Sequence, residues 1–140
     1  MHGTRHPELA GVHTSYRELR HDLEPHLDTE ERILFPMIRE LAVASTISEH
    51  ARRSLAEPIG ELAIEHERVG ELLARLRMLT VGYATPDDGC ASYRALYDAL
   101  AALEADTHLH VHKENNVLFP AVLAIEHRIA VAASPPPGIC

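Results

Sequence analysis

Two stretches of this chain carry the same pattern. One is His26-Leu27-Asp28-Thr29-Glu30-Glu31-Arg32-Ile33-Leu34-Phe35-Pro36, and the other, 84 residues later, is His110-Val111-His112-Lys113-Glu114-Asn115-Asn116-Val117-Leu118-Phe119-Pro120. Each reads His, three residues, Glu, two residues, Ile or Val, then Leu-Phe-Pro. On a helix, a His and a Glu four positions apart share one face, stacked a turn above each other. Two such helices facing one another bring two imidazoles and two carboxylates to one place. That is a metal-site constellation, and any fold of this chain has to accommodate it.

The apolar residues around the motifs step by threes and fours, as in amphipathic helices. A first long helix is expected from Pro7, with inward positions Leu9, Val12, Tyr16, Leu19, Leu23, Ile33 and Met37, bent at Pro25 and again at Pro36. Residues 44–57 read as a polar connection. Pro58 restarts a helix whose inward steps are Ile59, Leu62, His66, Val69, Leu73 and Leu76, ending near Thr80-Val81-Gly82. Thr85-Pro86-Asp87-Asp88-Gly89 is a turn in which Thr85 can cap the next helix and Pro86 can open it. The last helix steps through Leu96, Leu100, Leu103, Thr107, His110, Glu114, Val117 and Ala121 and fades before Ser134. No sustained period-two alternation and no Asn-Gly hairpin signal is present, so the expected class is all-α, an antiparallel helical bundle. The expected organisation is one helical domain over 1–133 followed by a flexible Pro-rich tail over 134–140.

Five polar residues occupy inward steps of these helices: His26 and Glu30 in the first, His66 in the second, His110 and Glu114 in the third. Burying an ionised carboxylate without a partner costs several kcal/mol on any realistic scale. A single His on an apolar face is ordinarily a hydrogen-bonded core or boundary residue, and a Glu four from a His can be a surface pair. Repetition of His-x-x-x-Glu in matching apolar frames, with a third in-register His, weighs against that bland reading. Imidazole and carboxylate without thiolate suit iron, manganese or zinc. The spacing is neither the His-Glu-x-x-His of zinc proteases nor the Glu-x-x-His of ferritin-like bundles. A His-dominated centre with two carboxylates placed to bridge points to non-haem di-iron. His21, His108, His112 and His127 fall off the inward phase; His108 and His112, four apart, suit at most an adventitious surface metal. Glu31, Glu65 and Asp22 flank the candidate ligands, either as supports or as a solvated face.

Composition narrows the function. The formal charge of −8 argues against nucleic acid, whose phosphates need a basic face. The 46% hydrophobic content implies a globular chain, and the low aromatic content with abundant Ala and Leu favours helices. Cys90 and Cys140 form no recognisable framework, no signal peptide is evident and no apolar run is long enough to span a membrane; a reducing cytoplasmic setting is the expectation.

The runs Glu-Glu-Arg-Ile-Leu-Phe-Pro and Glu-Asn-Asn-Val-Leu-Phe-Pro, with Glu65-His66 between them, resemble a hemerythrin-like (HHE) domain. More narrowly, they resemble the RIC/ScdA group of di-iron proteins that repair iron–sulfur centres, over roughly residues 2–122. That resemblance implies that His26, Glu30, His66, His110 and Glu114 are iron ligands, with Glu30 and Glu114 bridging. It adds His2 as a further ligand and places Glu65 near the access path. It also implies a four-helix bundle of which this chain lacks the first helix. A homodimer that covers the exposed apolar stripe is then expected.

The implied function is repair of iron–sulfur clusters damaged by nitrosative or oxidative stress, with NO and O2 as small ligands and iron–sulfur proteins as clients. The alternative is a module that binds or senses O2, NO or iron without turnover. A metal-free helical remnant is the third reading. No nucleophile elbow is present, which leaves a hydrolase least favoured.

Overall fold

The helical periodicity is realised as three long rods. The computed structural model describes residues 4–43, 54–133 and 137–138. The first rod is continuous through α1 (Glu8–Thr29), a π-helical turn (Glu30–Leu34) and α2 (Phe35–Val43). The second is α3 (Ala56–Leu79). The third runs through α4 (Ala91–Lys113), a second π-helical turn (Glu114–Leu118) and α5 (Phe119–Ala133). No strand occurs among the described residues. His2, most of the 44–57 connection and all of the 134–140 tail except Pro137 and Gly138 lie outside them.

Cross-helix pairs fix the register. Between α1 and α3 they run Glu18 with Arg75 (3.0 Å), Asp22 with Arg68, and His26 with Glu65 (2.6 Å), so the two helices are antiparallel. Between α3 and the third rod, Arg77 grips Glu104 through two bonds of 3.0 and 2.7 Å. Farther along, His66 meets Asn115, and the Glu126 carboxylate accepts the Leu55 N–H at 2.8 Å. That last contact places an anion at the start of α3, where the unpaired amides and the helix dipole favour it. The bundle is thus up–down–up, with α3 in contact with both outer rods.

The π-helical turns begin at Glu30 and Glu114, the same position of each repeated motif. Each closes with a wide bond: the Phe35 N–H donates to the Glu30 carbonyl, and the Phe119 N–H to the Glu114 carbonyl. The next residue is a proline in both copies, Pro36 and Pro120. Proline has no N–H to continue the wider register and its ring crowds the carbonyl four residues back, so the ladder must readjust there. The Leu-Phe-Pro run therefore marks a change of helical register, and the chain stays helical through it.

The inward positions expected after the two glutamates do not hold. Steps of three from Glu30 and Glu114 select Ile33 and Val117, yet these are 52% and 63% exposed. In the first rod Leu34, four residues after Glu30, is buried (0%); in the third it is Phe119, five residues after Glu114, as the extra residue of the widened turn allows (3%). Tyr16 and Leu96, also expected inside, are 40% and 44% exposed. They line an apolar cavity of about 390 Å³ between α1 and α4, together with Leu9, Val12, Leu100 and Leu103. In α3 every expected inward position, from Ile59 to Leu76, is buried.

Two apolar cores result, one on each side of a polar layer. The first gathers Val12, Leu19, Val69, Leu73, Leu76, Tyr93 and Tyr97. The second gathers Leu34, Leu41, Leu55, Ile59, Leu62, Phe119 and Val122. Two end signals differ from expectation. α3 starts at Ala56, with Pro58 within its first turn. α4 starts at Ala91 after Cys90, five residues later than a Thr85 cap predicts, because the 85–89 segment is held as its own turn by the Gly89 N–H to the Pro86 carbonyl (2.8 Å). The segment before α1 is anchored too. His6 is buried, with Nδ1 3.1 Å from Glu8 and Nε2 3.2 Å from Asp88, and the Tyr93 hydroxyl donates to Glu8 at 2.8 Å.

The burial of Leu34 over Ile33 is directly testable. Leu34→Ala is expected to cost about 2–5 kcal/mol in urea unfolding, as for other fully buried leucines. Ile33→Ala should stay within about 0.5 kcal/mol, as an exposed position does. Equal costs would mean that Ile33 is as buried as Leu34 and that the first rod faces the bundle differently here.

Candidate metal centre

The polar layer is built from one short stretch of each rod. His26 closes α1, Glu30 opens the first π-helical turn, His66 sits mid-way along α3, His110 lies in the last turn of α4 and Glu114 opens the second π-helical turn. His26, Glu30, His66 and Glu114 are all buried, at 1–4% exposure, and the His110 side chain is 38% exposed. The structure brings together the five residues that the inward phase singles out. One donor atom from each of His26, Glu30, His110 and Glu114 lies within 4.8 Å of the others. His66 joins them with Nε2 3.1 Å from His26 Nε2 and 3.2 Å from Glu114 Oε1. The sixth candidate, His2, is outside the described residues.

The donor geometry fits a cation. His26 Nε2 is 2.9 Å from Glu30 Oε1, His110 Nε2 is 2.7 Å from Glu114 Oε1, and His110 Nε2 is 3.1 Å from Glu30 Oε2. Separations of about 3 Å are those of adjacent ligands around an ion roughly 2.1 Å from each. Glu30 Oε1 and both Glu114 oxygens are fully buried and accept no hydrogen bond, although imidazole nitrogens lie within ion-pair distance. Buried, unbonded acceptors are costly, and a cation drawing on carboxylate and imidazole lone pairs together removes that cost.

Contacts on the outer side of two of these imidazoles favour one tautomer. His26 Nδ1 is 2.6 Å from Glu65 Oε2, and His66 Nδ1 is 2.8 Å from Asn115 Oδ1. When each Nδ1–H donates outward to an oxygen, each Nε2 is left with a free lone pair facing inward, the arrangement of a metal-ligating histidine. Phe119 stacks parallel to the His66 ring, 5.9 Å between centroids, and forms the apolar side of its slot.

Without a cation the charges distribute unevenly. Burial alone would raise Glu30, but the His26 and His66 imidazoles outweigh it and hold that carboxyl far below the usual range. Burial, reinforced by the neighbouring Glu30, raises Glu114. Burial would lower both imidazoles, yet the facing carboxylates prevail: His26 is raised by Glu30 and Glu65, and His66 is pushed up to about 9 by Glu114 and Glu30. Like charges held together separate in this way, one carboxylate ionised and its neighbour driven towards the neutral form.

Sequence reasoning left Glu65 between support and solvated face; its bond to His26 makes it a support. It missed Asn115 altogether. The only available signal was adjacency to Glu114, since α-helical phase points successive side chains about 100° apart. It also missed buried Glu104, whose partner Arg77 lies on another helix and has no sequence signature.

Comparisons with known proteins identify the family. Residues 2–129 match the hemerythrin HHE cation binding domain. The iron-sulfur cluster repair protein ScdA of Staphylococcus epidermidis is 32% identical over 122 residues, covering 87% of this chain and 52% of that protein. A probable iron-sulfur cluster repair protein of Haemophilus influenzae is 35% identical over 123 residues, 88% of this chain and 51% of that protein. The iron-sulfur cluster repair protein YtfE of Edwardsiella ictaluri is 39% identical over 113 residues, 81% and 47% respectively. The chain thus spans about half the length of these curated relatives. With the match covering nearly all of its residues, and with both repeated motifs inside it, the chain belongs to the hemerythrin HHE cation-binding domain family.

Proposed function

We propose that this chain is a non-haem di-iron protein that serves the repair of iron–sulfur clusters damaged by nitrosative or oxidative stress. The observation that carries the reading is the buried layer of three imidazoles and two carboxylates, three of whose four oxygens accept no hydrogen bond. In this reading His26, Glu30, His66, His110 and Glu114 would hold the metal, the two carboxylates serving as the shared donors of a di-iron centre. Iron held there would supply a change of oxidation state and binding of small diatomics such as NO or O2. The chain's own residues do the rest: Glu65 and Asn115 orient two imidazoles, Phe119 and the flanking leucines exclude water, and the partly exposed His110 marks the side open to ligands. The curated relatives named for cluster repair support the function, with iron–sulfur proteins as clients. None of the described helices is long and apolar enough to cross a membrane, and Cys90 is an exposed free thiol; a reducing cytoplasmic setting accords with both.

Metal content tests the centre. Protein prepared with ferrous iron is expected to hold two irons per chain, and Glu30→Ala or Glu114→Ala to hold at most one, with helicity retained in circular dichroism. No iron in the wild-type chain with its fold intact would sink the reading. Restoration of cluster-dependent activity in an NO-damaged iron–sulfur protein then separates repair from plain binding or sensing of O2, NO or iron, which would leave the client inactive.

Metal affinity should rise with pH. Ligands bind as neutral imidazole and carboxylate, so the metal must displace protons from His66, which holds its proton up to about 9, and from the raised His26 and Glu114. The expected result is an apparent affinity that climbs from pH 6 towards 9, with proton release detectable in weakly buffered solution. A flat profile would mean that these groups are not displaced by metal.

The apolar cavity between α1 and α4 supports a homodimer in the same reading. Light scattering is expected to give twice the chain mass, and Tyr16→Glu with Leu96→Glu to give the single-chain mass. A wild-type monomer that binds no hydrophobic dye would count against it.

A further inference from the structure

His66 is clasped at both ring nitrogens by two consecutive residues of another rod. Glu114 Oε1 is 3.2 Å from Nε2, and Asn115 Oδ1 is 2.8 Å from Nδ1. On a regular α-helix, adjacent side chains diverge by about 100°. Both residues belong to the second π-helical turn, whose wider coil closes that angle and lets neighbours address one imidazole from two sides. His26 is clasped differently. Its inner nitrogen faces Glu30 of its own rod, and its outer nitrogen meets the Glu65 carboxylate from α3. One imidazole is therefore backed by an anion and the other by a neutral amide.

We propose that Asn115 is a positioning residue of the metal centre: its amide oxygen holds His66 with the proton on Nδ1 and so keeps the Nε2 lone pair facing inward. The inference rests on the metal reading above. The alternative amide orientation would donate from Nδ2 to Nδ1, leave the proton on Nε2 and aim an N–H at the ligands, which no cation tolerates. Asn115 suits the task because an amide accepts the Nδ1 proton without adding a negative charge beside Glu114, whose carboxyl already sits against Glu30. Asn116, the next residue, faces away: its side-chain amide bonds the His112 carbonyl of its own rod at 3.2 Å. The tripeptide Glu114-Asn115-Asn116 thus places three different tasks at consecutive positions: ligand, positioning residue and helix surface.

The test uses the full chain loaded with Co(II), whose visible spectrum reports coordination independently of any activity, with affinity measured by chelator competition. Asn115→Ala is expected to bind Co(II) about 10–100-fold more weakly, the usual effect of losing a partner behind a metal-bound imidazole, and to show an altered ligand-field spectrum. Asn115→Asp, which accepts the same proton, should recover affinity to within a few-fold and restore the spectrum. Asn116→Ala should match the wild type. An Asn115→Ala protein with wild-type affinity and spectrum would overturn the proposal. A loss that Asn115→Asp does not reverse, or that Asn116→Ala shares, would also overturn it, because the effect would then be general damage to the π-helical turn. Absence of Co(II) and Fe(II) binding in the wild type would overturn the metal reading itself, and this proposal with it.

Discussion

The constraint on which the rest of this structure depends is electrostatic. Two carboxylates and three imidazoles lie in one layer, four of the five side chains withdrawn from water, in a chain of only 140 residues. Such a layer is expensive in a low-dielectric interior unless its charges are matched. The fold responds by putting apolar cores on both sides of it, so that the helices are held together independently of the layer's own balance. Ion pairs outside the layer, Glu18 with Arg75 and Arg77 with Glu104, hold α3 in register against its neighbours. The five side chains are then positioned by packing that they do not themselves supply, so the layer's shape does not depend on what it holds.

Much of this was legible in the sequence for a simple physical reason. A polar residue in an apolar stripe contradicts its surroundings, and His26, Glu30, His66, His110 and Glu114 each do so. In α3, where the helix is regular from end to end, the inward positions agree one by one. The failures are local, and each has its own cause. Ile33 and Val117 lie three residues after the glutamates, but the buried positions are Leu34, four residues on, and Phe119, five residues on within the wider coil. Tyr16 and Leu96 have the right period but face a gap between the outer rods, and a period says that a face is apolar without saying what packs against it. The Thr85 cap was outcompeted by a turn closing within 85–89. Asn115 escaped because it follows Glu114 directly, and neighbours on an α-helix point about 100° apart.

Site and backbone are consequently one design. Wide helical turns at functional centres are a recurrent association, and here the link is mechanical. Each begins at a carboxylate of the layer and ends against a proline that cannot continue the same hydrogen-bond register. The glutamate is thus seated where the helix is locally free to adjust, while Leu34 and Phe119 beyond it are locked into the second core. His110, closest to solvent, is at the open side of the layer; His26 and His66, closest to the cores, are the two whose outer nitrogens are held.

The added residue in each widened turn also acts as a torsional joint. Above it the rod presents one face to the bundle, and below it a face rotated by about one residue's angle, roughly 100°. A single deletion within 30–34 or 114–118 would leave the rod nearly as long while turning everything downstream away from its partners, so the second core would lose a wall even though no core residue had changed. Insertions and deletions in these two short segments are therefore rotations in disguise. In any lineage of such chains, the spacing between ligand and proline should tolerate substitution far better than it tolerates a change in count.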